Sequence, residues 1–202
     1  MNTDIHVSKL PPMRDAILEI AQEQLIRGGY SKLNFATIAK ELETTRANLH
    51  YHFKNKETLA IEVMRQYAGY YINEFQRLRE NYRGNFFALW PEIENMIWMQ
   101  PDNNDDAKIE SCVTLVSDPD IPEAITLLSK ESFNKIHSIL TGIIQDAVDC
   151  GEIRNDIDVD REATRCHVLM MGINGCGQHL LTIGEAKKLL SGLIAEWADS
   201  LK

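Results

Sequence analysis

The chain has 202 residues, of which 44% are apolar and 25% are charged, and its formal net charge is −9. This length and composition predict one or two globular domains with a sizeable core, and they do not describe a uniformly basic protein. The chain contains no run of 18 apolar residues, and its opening MNTDIHVSKL lacks the apolar stretch of a secretory signal, so neither a membrane span nor export is expected.

The four cysteines include no CxxC pair, which disfavours a disulfide framework or a zinc knuckle. Two of them, Cys166 and Cys176, lie near His167 and His179 in the sequence, so a metal site is conceivable there. Buried thiols and interface histidines are the simpler interpretation of these residues. We therefore expect no metal, no cofactor and a reducing, cytoplasmic location.

Charge is distributed unevenly along the chain. Residues 1–66 carry nine basic and eight acidic side chains, a net charge of +1, and the remainder carries twelve basic and 22 acidic side chains, a net charge of −10. This asymmetry predicts an N-terminal module that can approach a polyanion and a C-terminal part with another role.

The first third of the chain shows the apolar spacing of short helices that begin at capping residues. A helix over Met13–Arg27 should end at the glycines 28 and 29, and a long helix should begin at Asn55 or Lys56. Between them lie two short predicted helices, Phe35–Leu42 capped by Asn34 and Arg46–Phe53 capped by Thr45.

Helical spacing also dominates the rest of the chain, where no strand or repeat is evident. The predicted helices cover about 85–99, 105–117, 122–150, 160–182 and 185–201. The fold class is therefore all-α, with a three-helix N-terminal head that contains a helix-turn-helix and a larger helical body.

The stretch RANLHYHFKNKETL, residues 46–59, places Leu49 and Phe53 on one helical face, where they should dock on the preceding helix. The other side chains of residues 46–52 are then wholly or partly displayed. Arginine and asparagine can pair with base edges, and tyrosine, histidine and a lysine at a helix start can contact phosphates. A solvated helical hairpin has the same periodicity, so spacing alone leaves both interpretations open.

The segment GGYSKLNFATIAKELETTRANLHYHFKNKETL, residues 28–59, resembles the DNA-binding domain of the TetR family of bacterial transcriptional regulators. The matching pieces are Gly29-Tyr30, Ile38-Ala39, Leu49, His52-Phe53 and Asn55-Lys56-Glu57-Thr58-Leu59. The chain departs from the family pattern at Glu43, where glycine is usual in the turn, and at His50, where tyrosine is usual.

The resemblance implies a helix-turn-helix DNA-binding domain over residues 1–56 and a helical effector-binding and dimerisation domain over residues 57–202. It implies a repressor that binds a near-palindromic operator in double-stranded DNA as a homodimer, through residues 160–201, and is released by a small-molecule effector. The residues expected at base edges are Arg46, Ala47 and Asn48. The residues expected to hold the DNA backbone are Asn34, Thr45, His50, Tyr51, His52 and Lys56.

An effector pocket is expected to draw on aromatic, methionine and polar side chains of the body, although any single one of them is more simply core packing. The candidates are Tyr67, Tyr71, Phe75, Phe86, Trp90, Trp98, Met99, Cys112, Met171 and Asn174. The chain carries none of the motifs GxSxG, HExxH or P-loop, so an enzyme is not expected. A dimeric helical ligand-binding or scaffold protein without DNA binding remains the alternative, because of Glu43 and His50.

Overall fold

A computed structural model of the chain describes residues 12–98, 105–107, 109, 111 and 118–202. Within these residues there are nine helices and no strand, which confirms the all-α class. The helices are α1 Met13–Lys32, α2 Phe35–Glu41, α3 Arg46–His52, α4 Lys56–Asn81, α5 Phe86–Trp98, α6 Glu123–Asp149, α7 Val159–His179, α8 Ile183–Leu190 and α9 Leu193–Asp199. The predicted helix over 105–117 falls mostly outside the described residues. None of the described helices has the length and apolar character needed to cross a bilayer.

The head helices begin at the predicted capping residues. The side-chain oxygen of Asn34 accepts a hydrogen bond from Ala36 N at 2.8 Å, and that of Thr45 accepts one from Asn48 N at 3.2 Å. The Asn55 side chain caps α4 in the same way. These bonds satisfy N–H groups that the first helical turn leaves without partners, so the local sequence fixes where α2, α3 and α4 begin.

The first helix is interrupted at Gly29, where φ is 71° and ψ is −175°, as the two glycines predicted, and a short helical segment follows to Lys32. A β-carbon at residue 29 would come within 2.7 Å of Asp118 Oδ2. That carboxylate accepts hydrogen bonds from Ser31 N at 3.0 Å and Ser31 Oγ at 2.8 Å. These bonds, led by the backbone N–H of Ser31, lower the pKa of Asp118. Asp118 therefore holds the end of α1 from outside the head.

The C-terminal region corrects one predicted element. A single helix was expected over 185–201, but α8 and α9 are separate, and Gly192 between them has φ 87°. The carboxylate of Glu94 on α5 accepts the Gly192 N–H at 3.1 Å. Glycine adopts this left-handed conformation without the clash of a β-carbon, so the chain turns here.

Two hydrophobic cores meet along α4. The head core includes the early α4 residues Leu59, Val63 and Met64, whereas the body core includes Phe75 and Leu78 further along the same helix. The head core also takes in one residue of α6, Ile125, which is fully buried. One continuous helix is thus packed into both halves of the molecule.

Candidate nucleic-acid interface and ligand cavity

The turn between α2 and α3 is closed by the residue that departs from the expected glycine. Glu43 has φ 50°. Its N–H donates to Lys40 O at 3.2 Å, and the Thr44 N–H donates to Ala39 O at 2.8 Å. This pair of bonds is the Schellman arrangement that ends a helix with one left-handed residue. A side chain in that conformation costs about 1 kcal/mol relative to glycine, and the turn keeps its geometry despite this cost.

The third helix presents one apolar side and one polar side. Leu49 and the following Phe53 are 0% and 2% exposed and lie in the head core. Arg46 and Ala47 are exposed, and Tyr51 is 84% exposed. Packing of Leu49 and Phe53 therefore turns the opposite face of α3 toward solvent.

Several polar side chains of this region are held by contacts within the head. Asn48 is partly buried, and its Nδ2 donates to Thr44 Oγ1 at 3.0 Å. The His50 Nδ1 lies 3.1 Å from Lys54 O, and its ring lies 4.9 Å from that of Phe35. His52 meets Tyr51 edge-on at 5.2 Å. These contacts limit side-chain rotation before any partner binds.

Lys56 lies at the junction of α1 and α4. Its Nζ donates to Ser31 O at 3.4 Å and lies 4.3 Å from the centre of the Tyr30 ring. Burial, and then the neighbouring Glu57, raise the pKa of Tyr30, so its phenol stays neutral beneath the ammonium. The charge of Lys56 is thus held near the first turn of α4.

The body contains a cavity of about 210 Å³ between α4, α5, α6 and α7. No Asp, Glu, Lys or Arg side chain is among its described lining residues. The lining consists of Met64, Tyr67, Ala68, Tyr71, Phe75, Ile93, Met96, Ile97, Ser111, Ser129, Ser132, Phe133, Ile136, His167, Met170, Met171 and Asn174.

Three of the polar lining groups donate hydrogen bonds within their own helices. Ser129 Oγ and Ser132 Oγ donate to carbonyl oxygens one turn earlier in α6, at 2.9 Å and 2.8 Å. Asn174 Nδ2 donates to the Met170 carbonyl oxygen at 3.0 Å. These contacts are typical of polar groups that must be satisfied inside an apolar environment.

His167 differs from these groups. It is 5% exposed, and its Nδ1 has no hydrogen-bond partner among the described residues. Its ring stacks on Phe133 with centroids 4.1 Å apart. Burial, and then the nearby His137, lower the pKa of His167 to about 4, so the imidazole is neutral at pH 7.

Comparison with known proteins agrees with this arrangement. The sequence model of the tetR family of bacterial regulatory proteins matches residues 17–63, the region that forms the head. The HTH-type transcriptional regulator QacR of Staphylococcus aureus is 40% identical over 52 residues, which are 26% of this chain and 28% of that protein. The HTH-type transcriptional repressor KstR2 of Mycolicibacterium smegmatis is 25% identical over 154 residues, 73% of this chain and 70% of that protein. A TetR-family transcriptional regulator from Agrobacterium tumefaciens shares the fold with a TM-score of 0.78 at 19% identity, over 91% of this chain and 96% of that one.

The head of the chain matches the TetR family. The aligned stretch spans little more than a quarter of QacR, but the shared fold extends over nearly the whole chain. The family resemblance in the sequence is therefore confirmed, together with the larger helical domain that follows the TetR-type head.

The structure separates the residues that were predicted to form the TetR effector pocket. Those that line the cavity are Tyr67, Tyr71, Phe75, Met171 and Asn174. Those that lie in the body core and do not line it are Phe86, Trp90 and Trp98. Met99 and Cys112 lie outside the described residues.

None of the four cavity-lining residues on α6 was predicted from the sequence, and neither was His167. Ser129, Ser132, Phe133 and Ile136 recur at the spacing of one helical face, which is the signal that could have identified them. His167 had been considered only as an interface histidine or a metal neighbour. Across the described residues, no three His, Cys, Asp or Glu side chains come together in a group that could hold a metal ion.

Proposed function

We propose that this TetR-family protein is a transcriptional repressor that binds a near-palindromic operator as a homodimer and is released when a small molecule enters the cavity. The observation that carries the proposal is the orientation of α3. Its apolar residues are buried in the head core, and Arg46, Ala47 and Tyr51 project from the opposite face, directly after the tight turn at Glu43. A helix held in this way can enter a major groove.

Within this proposal, the first turn of α3 reads bases and the residues around it hold phosphates. Arg46 can make a bidentate contact with guanine, and Asn48 can contact adenine through the amide that Thr44 orients. Ala47 leaves room for close approach to a base edge. The proposed phosphate contacts are Asn34, Thr45, His50, Tyr51, His52 and Lys56.

The proposed dimer interface is the outer face of residues 160–201. Val168 on α7 is 59% exposed, and the nearby Gly172 and Gly175 border open space, since a β-carbon at either would meet nothing within 4 Å. Leu180 and Leu189 are 73% and 63% exposed. Exposed apolar side chains beside small residues favour close packing of helices from a second copy, and a two-fold axis would set the two heads at one separation.

The proposed release mechanism depends on α4. This helix begins at Lys56 in the head and contributes Tyr67, Tyr71 and Phe75 to the cavity wall. A ligand that favours one position of α4 would change the separation of the two heads, to the extent that its affinity differs between the two states. The name of the Mycolicibacterium relative, a transcriptional repressor, supports the assignment as a repressor. The proposed DNA-binding domain comprises residues 1–56, and the proposed effector-binding and dimerisation domain comprises residues 57–202.

Selection of bound duplexes from a randomised DNA pool tests the proposal. The full chain should enrich two inverted half-sites whose centres lie about one helical turn, ~10 base pairs, or a multiple of it apart. Arg46→Ala provides the matched control, because it should bind the pool without recovering the same sequence. If the intact protein enriches no sequence at low salt, the DNA-binding proposal is wrong and the ligand-binding scaffold takes its place.

A further inference from the structure

Aromatic and methionine side chains make up much of the described cavity wall. Four aromatic rings and four methionines account for eight of the residues around it, and the rings of Tyr67 and Tyr71 lie 4.8 Å apart at an angle of 51°. The eight residues are Met64, Tyr67, Tyr71, Phe75, Met96, Phe133, Met170 and Met171. Aromatic rings pack edge-to-face or in offset stacks, and methionine sulfur makes favourable contacts with ring edges. Such walls favour an aromatic ligand.

Charge narrows the class of ligand further. No Asp, Glu, Lys or Arg side chain is found among the described residues that line the cavity. An ion that entered would lose its hydration without meeting a counter-ion, which is strongly unfavourable in an apolar environment. The imidazole of His167 is neutral at pH 7 and does not provide a positive charge. The ligand that fits the described part of the wall is therefore uncharged.

One polar side chain in the wall is held by stacking, and one of its ring nitrogens has no hydrogen-bond partner among the described residues. His167 is buried, its Nδ1 makes no hydrogen bond with a described residue, and its ring is stacked on Phe133. Beyond it, the His137 ring lies 6.2 Å away and is held by Asp160, with Nε2 and Oδ1 3.1 Å apart. Buried polar groups normally find a partner, and His167 is one of the residues that line the cavity, so a bound molecule can hydrogen-bond to its imidazole.

The volume of the cavity limits the size of the ligand. An apolar cavity of about 150 Å³ in another protein holds benzene, and this cavity measures about 210 Å³. We propose that the cavity binds an uncharged aromatic molecule of one or two rings whose hydrogen-bonding group pairs with the imidazole of His167. The inference rests on the proposed function, in which this cavity is the effector site, and it names the chemical class of the effector.

Calorimetric titration of the full chain at pH 7, without DNA, tests this assignment. The probes are 2-naphthol, naphthalene, naphthalene-2-carboxylate and choline. We expect 2-naphthol to bind about 2- to 10-fold more tightly than naphthalene, the range that one hydrogen bond contributes. The carboxylate and choline should bind at least about tenfold more weakly than 2-naphthol, because each would bury a charge. Equal or tighter binding of either ion, or no binding of any aromatic probe at millimolar concentration, would overturn the proposal.

Two matched variants locate the hydrogen bond. His167→Phe keeps a ring against Phe133 but removes the polar atoms, so the preference for 2-naphthol over naphthalene should fall to about onefold. His137→Phe makes the same substitution at the neighbouring ring, which does not line the cavity. This variant should still prefer 2-naphthol over naphthalene. An unchanged preference in His167→Phe contradicts the assignment. Thermal unfolding checks that both variants are folded, and the ranking of probes by the wild-type chain decides the class of ligand even if a variant is not.

Operator affinity measured with and without 2-naphthol tests the proposed function separately from the ligand class. Binding of 2-naphthol with the expected ranking, but with no change in operator affinity, supports the ligand class and counts against release by the effector. Operator binding that no probe alters, together with no probe binding, supports the DNA-binding role and overturns the ligand class.

Discussion

At the scale of single residues, Glu43 shows how the head keeps its turn without the expected glycine. Its φ of 50° is a conformation that glycine adopts freely and that other residues adopt at a cost. We expect Glu43→Gly to raise the free energy of unfolding by about 0.5–1 kcal/mol, after allowing for the greater freedom of glycine in the unfolded chain. Urea denaturation measures this difference. Glu43→Ala removes the same charge but keeps the β-carbon, so an equal gain in that control would assign the effect to charge rather than to backbone conformation.

The second residue-scale prediction concerns His167 and pH. Its pKa in the folded protein is about 4, below its ordinary value of about 6.5, so the folded state favours the neutral ring. Between about pH 6.5 and about pH 4 the unfolded chain binds a proton at this residue that the folded chain does not bind. The contribution of His167 to the free energy of unfolding is therefore fully present above pH 6.5 and is lost as the pH falls to about 4.

Chemical denaturation of the wild type and of His167→Phe between pH 7 and pH 4 measures this contribution. The wild type should lose stability relative to the variant as the pH falls through this window. The other ionisable side chains are present in both proteins, so their effects largely cancel. A difference in unfolding free energy that stays constant across the window would show that His167 does not titrate as its burial implies.

At the scale of helices, the sequence predicted those elements whose ends are set locally. The starts of α2, α3 and α4 depend on Asn34, Thr45 and Asn55, each of which caps N–H groups two or three residues away. The break at Gly192 was missed, because its backbone N–H is held by Glu94, which is distant in sequence. Local periodicity carries no information on such long-range contacts.

The same limit explains which pocket residues could be predicted. The α4 candidates line the cavity because the spacing of Tyr67, Tyr71 and Phe75 places them on one helical face. The α5 aromatics are equally periodic, but Phe86 and Trp90 pack with Trp197 of α9 at ring distances of 6.4 Å and 4.8 Å. Only the tertiary arrangement decides which aromatic face borders the cavity and which fills the core.

The proposed switch belongs to this scale as well. Tyr71→Leu should change the ratio of operator affinities without and with 2-naphthol more than it changes the affinity of the ligand-free protein. The ratio in the wild type should lie within about 5–150-fold, the usual range for coupling between two sites. Tyr70→Leu is the control, because Tyr70 is the adjacent α4 residue, is 59% exposed and does not line the cavity. Fluorescence anisotropy with labelled operator measures the six affinities, those of the wild type and of both variants with and without 2-naphthol.

If Tyr71→Leu leaves the ratio of operator affinities unchanged, α4 does not transmit ligand binding to the head. Two further links between head and body are then available. Ile125 of α6 is buried in the head core, and Gln178 Nε2 of α7 donates to Ile26 O of α1 at 3.1 Å. Both α6 and α7 also border the cavity, so either helix could carry the change.

At the scale of the whole molecule, the proposed dimer explains the exposed apolar face of α7. Val168→Lys places a charge on this face beside the open surface at Gly172 and Gly175, and we expect it to shift the protein from dimer to monomer at micromolar concentration. Leu127→Lys is the matched control, since Leu127 is also 59% exposed but lies on α6. Sedimentation velocity distinguishes the two species. A dimer that survives Val168→Lys and dissociates in the control would place the interface on α6.

The charge distribution also acts at this scale. The net charge of −10 after residue 66 would repel DNA, so binding depends on how the few basic residues of the head are arranged rather than on their number. Arg46 on the exposed face of α3 and Lys56 at the start of α4 are assigned different tasks in this account, one reading bases and the other holding the backbone.

The most direct test measures operator affinity against salt concentration for the wild type, Arg46→Ala and Lys56→Ala, on the selected operator and on single-base variants. Lys56→Ala should weaken binding to every sequence alike and reduce the salt slope by about one per lost phosphate contact. Arg46→Ala should relax selectivity at one base position per half-site, where the wild type discriminates by about 1–3 kcal/mol. The same selectivity profile for both variants, or wild-type binding that does not depend on salt, would contradict the placement of α3 in the major groove.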